Sequence, residues 1–277
     1  MLKRLSLFFL TLVLLWVVFR TPVIGEFNNT LLRFFRPTET VVKKASHSIF
    51  PPPPVFITNS LLAENQWVDS VFSSMDVDQK IGQFFMVAIN PTHGEAHFKR
   101  IETLIQSNYI GGLIFFQGEP YAYASLNNRF QSTTKIPLLV GIDGEWGLAM
   151  RVNSTMAFPK QITLGAIQDN SLIYKMGGEI ARQCKRLGIH LNFAPVVDIN
   201  SNPNNPVIGY RSFGELRENV ALKSSAYMKG MQNHQLLACA KHFPGHGDTQ
   251  GDSHFTLPQV SYTAERLKNV ELYPFQQ

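Results

Sequence analysis

The sequence predicts an α/β fold of the (β/α)8 barrel type, and two patterns carry that expectation. From about residue 81 onward, apolar runs (82–89, 111–118, 137–145, 190–199 and 236–245) alternate with amphipathic stretches such as SLIYKMGGEIARQCKRLG and ELRENVALKSSAYMKGMQNH. Runs that are apolar at both odd and even positions belong to strands covered on both faces, which parallel strands joined by helical crossovers produce. Polar residues then collect at the C-terminal ends of successive runs: Asp143 and Glu145, Asp198 and Asn200, Lys241 and His242. A barrel draws its functional residues from that end of many strands. A doubly wound sheet uses mainly one switch point and follows its first strand with a glycine-rich phosphate loop, which is missing here.

Roughly 210 residues follow the proline-rich stretch described below, where a closed barrel takes about 250. The expectation is therefore an incomplete barrel with about five of its eight βα units. Two open sheet edges would leave such a chain unstable by itself.

Each segment can be justified in order. Lys3 and Arg4 precede the uncharged run Leu5–Phe19. That run is shorter than the roughly 20 residues a membrane-spanning helix needs, so residues 1–25 read as an export signal, with Gly25 as a cleavage position. Arg20, directly after the apolar run, keeps an uncleaved signal anchor as the alternative, and no cysteine follows to take a lipid. The folded part is expected to be exported, to a periplasm or to a membrane surface held by this segment alone. Residues 26–63 read as a basic, proline-rich linker, because Pro51–Pro54 forbid helix and favour an extended spacer. The globular domain is expected over 64–277, opening on an amphipathic helix.

Composition narrows the function classes. With 44% hydrophobic and 12% aromatic residues in 277, the chain can build a core, and disorder is excluded as its dominant state. The net charge of +5 sits at the N-terminus, where Lys3, Arg4, Arg20, Arg33, Arg36, Lys43 and Lys44 face only Glu26 and Glu39. The remainder balances, so the folded part has no basic footprint for nucleic acid. The two cysteines, Cys184 and Cys239, cannot form a disulfide framework and read as small hydrophobes on a helix face and a buried strand.

The densest polar segment is Lys241–Leu257, KHFPGHGDTQGDSHFTL, directly after the fifth run. Its glycines and proline make it a loop, and loops at this end of a barrel carry function. Three chemistries compete for it. His242, His246, Asp252 and His254 are metal-ligand types, but no helical frame would hold them in tetrahedral order. Ser253 is a hydroxyl nucleophile type without a GxSxG elbow around it. Asp252 and His254 form a carboxylate–imidazole pair in which the carboxylate holds one ring nitrogen and the other exchanges a proton with a leaving group. Lys241, His242, Arg151, Arg211 and Asp143, on the strand ends, add donors and an acceptor suited to sugar hydroxyls and an acetamido group.

KHFPGHGDTQGDSH resembles the signature of family 3 glycoside hydrolases of the β-N-acetylglucosaminidase branch, in which a histidine, and an aspartate two residues before it, replace the usual carboxylic acid. GIDGEWGLAMRV (141–152) and LNFAPVVDINSNPNNPVIGYRSFGE (191–215) resemble two further segments of that family, in the same order, and the similarity runs from about Trp67 to the end. The resemblance implies that His254 is the acid/base, that Asp252 orients it, and that Asp143, Arg151, Arg211, Lys241 and His242 line an N-acetylglucosamine subsite. It also implies a retaining, cofactor-free and metal-free hydrolase of terminal β-linked N-acetylglucosamine, taken from peptidoglycan-derived or other amino-sugar glycans. Two departures stand out. Trp146 occupies a position where the family usually has glycine, and the family's nucleophilic aspartate belongs to a region beyond the acid/base loop that this chain does not contain. A non-catalytic sugar-binding barrel is therefore the alternative.

Overall fold

The computed structural model describes residues 58–277 except Asn108, residues 252–254, Thr256, Val260 and Ser261, with side chains from Gln66 onward. The expected signal and most of the expected linker lie outside the described residues. Within that linker the chain is already helical from Thr58, where α1 (Thr58–Ser74) begins. Helix α2 (Val77–Gly82) follows. It is started by Asp76, whose carboxylate accepts from the Gln79 amide at 2.8 Å while the Gln79 side chain accepts from the Asp76 amide at 3.2 Å. This reciprocal cap satisfies donors that an isolated first turn would leave open.

Five strands come next: β1 (Met86–Ile89), β2 (Gly112–Phe115), β3 (Leu139–Ile142), β4 (Leu191–Asn192) and β5 (Leu237–Ala238). The crossovers are α3 (Glu95–Gln106), α4 (Pro120–Gln131), α5 (Gln161–Gly165) with α6 (Asn170–Arg186), and α7 (Arg217–Asn233), and α8 (Ala264–Asn269) follows β5. Every apolar run read from the sequence contains one strand. The pairing is parallel throughout, and spatial order equals chain order, β1-β2-β3-β4-β5. Each new strand joins the same edge, which is how a barrel grows, whereas a doubly wound sheet reverses direction. The fold is thus of the (β/α)8 barrel type, with five consecutive βα units described.

The strands are shorter than the runs because the ladder becomes irregular where the chain turns toward the site. Past Asn192 and Ala238 the bonds change partner: the Cys239 amide donates to the Asn192 and Ala194 carbonyls, Lys241 to Pro195, and Val197 to Lys241. Those residues stay paired without a regular register, which satisfies buried backbone groups.

Helices are set by their ends and their small residues. Pro120 opens α4, where its missing N–H has no intrahelical partner to lose. The Asp169 carboxylate caps α6 by accepting from the Ser171 amide at 2.9 Å, and Lys185 and Arg186 sit at its negative C-terminal end. Where α6 meets α7, a Cβ on Gly230 would stand 2.2 Å from the Tyr174 carbonyl oxygen, and one on Gly177 would stand 2.5 Å from that of Tyr227. Only glycine lets these backbones touch. The close crossing presses Ile173, Ile180, Tyr227 and Met231 into the core formed with Val140 and Ile142 of β3. Each such side chain contributes about 1.5–3 kcal/mol when fully buried.

Cys184 is buried in α6, where burial pushes its thiol up to about 12. Cys239 falls just past β5 and is half-buried, not within a buried strand as the sequence suggested, and both thiols are free. Trp67, Val68 and Phe72 of α1, Val77 and Ile81 of α2, and Phe84 before β1 are all exposed, as is Leu237 on β5. Among the described residues β1 and β5 each pair on one edge only.

Candidate functional site

The C-terminal ends of β3, β4 and β5 are knit together by a chain of charges. Its position starts with Asn192, fully buried on β4. The Asn192 carboxamide accepts from the Gly144 amide at 2.9 Å and donates to the Gly144 carbonyl at 3.1 Å. The Tyr227 hydroxyl donates to the Glu145 carbonyl at 3.3 Å. These ties fix the turn after β3, and with it Asp143 and Glu145. Asn205 does the same for the next segment, its Oδ1 accepting from the Val207 and Ile208 amides at 2.9 and 2.7 Å. That turn delivers Arg211 at the end of the short 3₁₀ helix Gly209–Arg211.

Arg151 donates to Asp143 at 2.6 Å, and the Lys241 ammonium bridges Asp143 and Glu145, reaching Glu145 at 2.8 Å. Arg211 grips Glu145 with two parallel bonds, Nε–Oε2 at 2.9 Å and Nη2–Oε1 at 2.7 Å. Its Nη2 also lies 3.3 Å from Nε2 of His242, whose Nδ1 is 2.6 Å from Asp198. A guanidinium has no acceptor, so Nε2 must accept, and Nδ1–H donates to Asp198. Asp198 also accepts from the His246 amide at 2.7 Å. Three carboxylates thus alternate with three fixed cations and an imidazole.

Glu145 and Asp198, each 1% exposed, are the hubs of this array. Burial raises the Glu145 carboxyl, but the Arg211 and Lys241 bonds outweigh it and hold the group below the usual range. Asp143 follows the same pattern, burial pushing up and Lys241 with Arg151 pulling it down further. Arg211 is raised, because Glu145 overcomes the effect of burial. Carboxylates held this way stay ionised and act as fixed hydrogen-bond acceptors. The arrangement suits a polyhydroxylated ligand that must both donate and accept.

Asp143, Arg151, Arg211, Lys241 and His242, the five subsite candidates of the sequence, all belong to this one network. Asp252 and His254 lie outside the described residues. His246 turns inward, its Nδ1 against the Thr249 hydroxyl. Among the described residues no group of three or more His, Cys, Asp or Glu side chains is placed to hold a metal. In the sequence Glu145 and Asp198 stand among the polar residues at the strand ends, with no partner indicated for either. That placement was the available signal for their buried role. Trp146 is half-buried, and the Lys160 ammonium lies 2.7 Å from its ring centre and 5.4 Å from that of Tyr210. Burial pulls Lys160 below the usual lysine range, against the pull of Glu145. The indole face is therefore taken up by a cation–π contact beside the network.

Residues 76–277 match the model of the glycosyl hydrolase family 3 N terminal domain. The chain belongs to glycosyl hydrolase family 3. It is 38% identical over 188 residues to a beta-hexosaminidase A of Pseudoalteromonas piscicida, a match covering 63% of this chain and 31% of that protein. It is 33% identical over 177 residues to a beta-hexosaminidase of Neisseria meningitidis serogroup C, covering 60% of this chain and 49% of the relative. The solved family 3 beta-N-acetylglucosaminidase from Paenibacillus superposes with a TM-score of 0.67 at 39% identity, over 73% of this chain and 39% of that one. NagZ from Neisseria gonorrhoeae gives 0.61 at 30%, over 69% and 58%. The family 3 chain thus spans about a third to a half of the length of these curated relatives.

Proposed function

We propose that this chain provides the sugar-binding floor and the acid/base segment of an exported, retaining β-N-acetylhexosaminidase. The substrate is terminal β-linked N-acetylglucosamine on peptidoglycan-derived or other amino-sugar glycans. The observation that carries the reading is the strand-end network. Its fixed donors, Arg151, Lys241 and Arg211, and its fixed acceptors, Asp143 and Asp198, are what sugar hydroxyls and an acetamido group require. The beta-hexosaminidase relatives support the substrate class.

In this reading His254 protonates the leaving oxygen while Asp252 holds its ring. Asp143, Arg151, Arg211, Lys241 and His242 orient the sugar, so that its anomeric carbon is presented without loose motion. A retaining reaction also needs a nucleophile on the opposite face. Every carboxylate of the network is held by two or more donors, and turnover by this chain would assign the nucleophile's work to one of them, such as Asp198 or Glu145. The second reading is a sugar-binding protein without turnover. Residues 1–25 as signal or anchor and 26–57 as spacer, ahead of the helix that begins at Thr58 and of the barrel domain, complete the proposal.

Incubating the 277-residue chain with an aryl N-acetylglucosaminide and following release of the aryl alcohol tests it. Turnover supports the hydrolase. Binding of N-acetylglucosamine without turnover supports the second reading, and neither binding nor turnover contradicts both.

A further inference from the structure

Beside the strand-end network stands a cation that the network does not use. Lys160 immediately precedes α5, and its place is fixed from both sides. The next residue, Gln161, is buried, and its carboxamide pairs twice with Val196 after β4, donating to the carbonyl at 2.7 Å and accepting from the amide at 3.0 Å. Two residues before Lys160, the Phe158 amide donates to the Trp146 carbonyl at 3.1 Å. The Phe158 ring also packs on Gly147, where a Cβ would come within 2.7 Å of it. Gly147 has a φ of 84°, so a side chain is excluded there twice over. These ties set the Lys160 ammonium over the Trp146 ring, with the exposed Tyr210 ring as its second aromatic neighbour.

Chain order joins this group to the network. Trp146 directly follows Glu145, and Tyr210 directly precedes Arg211. Glu145 is the carboxylate nearest in influence to Lys160, yet it is committed to Arg211 and Lys241. Among the described residues no carboxylate pairs with Lys160, and its neighbours are the two rings. An ammonium carries three donors, and ring faces attract its charge without offering a strong acceptor. Within the network, Asp143, Glu145 and Asp198 cancel Arg151, Arg211 and Lys241, and His242 is neutral when Nδ1–H donates and Nε2 accepts. Lys160 therefore leaves the site with one positive charge. The network already meets the needs of a sugar's hydroxyls and acetamido group. The spare cation is left for whatever the sugar is attached to.

We propose that Lys160 is a specificity-determining residue that receives a carboxylate on the group linked to the bound sugar, with Tyr210 as an apolar wall for that group. The proposal rests on the reading of the network as an N-acetylglucosamine site. Trp146 is a positioning residue that acts through Lys160. Without the indole the ammonium is free to turn into solvent, and a loose ion pair contributes little.

The test uses two 1-thio-β-glycosides of N-acetylglucosamine, phenyl and 4-carboxyphenyl, which differ by one carboxylate and whose sulfur link resists cleavage. Each is titrated calorimetrically into the 277-residue chain and into Lys160→Met, Lys160→Gln, Lys160→Arg and Trp146→Leu. The parent is expected to bind the carboxylated compound about three- to tenfold more tightly than the plain one, with the gap narrowing at high salt. In Lys160→Met and Lys160→Gln the ratio falls to about one, Lys160→Arg keeps a preference, and Trp146→Leu falls between. A preference that survives in a folded Lys160→Met or Lys160→Gln overturns the proposal, and an undiminished one in Trp146→Leu overturns the positioning role. A parent that binds both compounds equally keeps the sugar reading and loses the role of Lys160. A folded parent that binds neither contradicts both.

Discussion

The β3–β4 side of the sheet and the β1 side are built from similar apolar material and end up in opposite conditions. Around β3 and β4, glycine contacts let α6 and α7 close on one another, and Val140, Ile142, Ile173 and Tyr227 lose all access to solvent. Around β1, Trp67, Val68 and Phe72 of α1 and Val77 and Ile81 of α2 stay in solvent, as does Phe84, which is 82% exposed. The charged network stands on the buried side, at the ends of β3, β4 and β5. An array of alternating buried charges needs a rigid, desolvated support, because burial is what makes each misplaced charge expensive. The outer flank carries no such demand.

That contrast breaks most severely at the α6–α7 crossing. Gly230→Val forces a branched side chain onto a carbonyl oxygen 2.2 Å from the Cβ position, and the whole β3–β4 side should fail to pack. Urea unfolding should show loss of a cooperative transition, or a destabilisation above about 4 kcal/mol. A small effect would mean that the helices can separate without harming the core.

Next in size is Glu145→Gln, which leaves Arg211 and Lys241 without their shared carboxylate. Breaking a buried ion pair from one side costs about 3–5 kcal/mol. The Glu145 carboxyl is held below its usual range, by donors that outweigh the effect of burial. Its contribution is therefore complete above the ordinary glutamate pKa of about 4.3 and is lost as the pH falls through the lower folded value. The difference between parent and variant should be flat from pH 7 to about pH 5 and shrink in more acidic solution. A gap that widens in acid would contradict this.

On the outer flank Phe84→Ser should change stability by no more than about 0.5 kcal/mol, as for other exposed positions. A larger loss in thermal unfolding would show that this face is covered in solution, and would remove the contrast.

Much of this was legible beforehand, for physical reasons. Strands buried on both faces leave runs without polar alternation, so 82–89, 111–118, 137–145, 190–199 and 236–245 each held a strand. Strand ends facing the site are polar, which exposed Asp143, Lys241 and His242. What stayed hidden depends on distant pairing. Glu145 and Arg211 are 66 residues apart, and nothing local says that one carboxylate would take both Arg211 and Lys241. The early end of β4 and β5 was hidden as well, because an apolar run does not reveal where regular register stops. The helix at Thr58 was masked by the four prolines just before it, whose stiffness belongs to the preceding residues only. Tyr262, five residues past the polar segment 241–257, gave no sign that it meets Asp248.

The central claim is that the strand-end network holds an N-acetylglucosamine ring. Its most direct test is calorimetric titration of N-acetylglucosamine into the 277-residue chain and into Lys241→Ala. Lys241 links Asp143 to Glu145, and truncating a buried donor leaves its partners unpaired, a loss of about 1–3 kcal/mol. The parent is expected to bind the sugar, and the variant to bind it roughly 5- to 150-fold more weakly. Equal affinity in the two proteins, or no binding by a folded parent, would contradict the account.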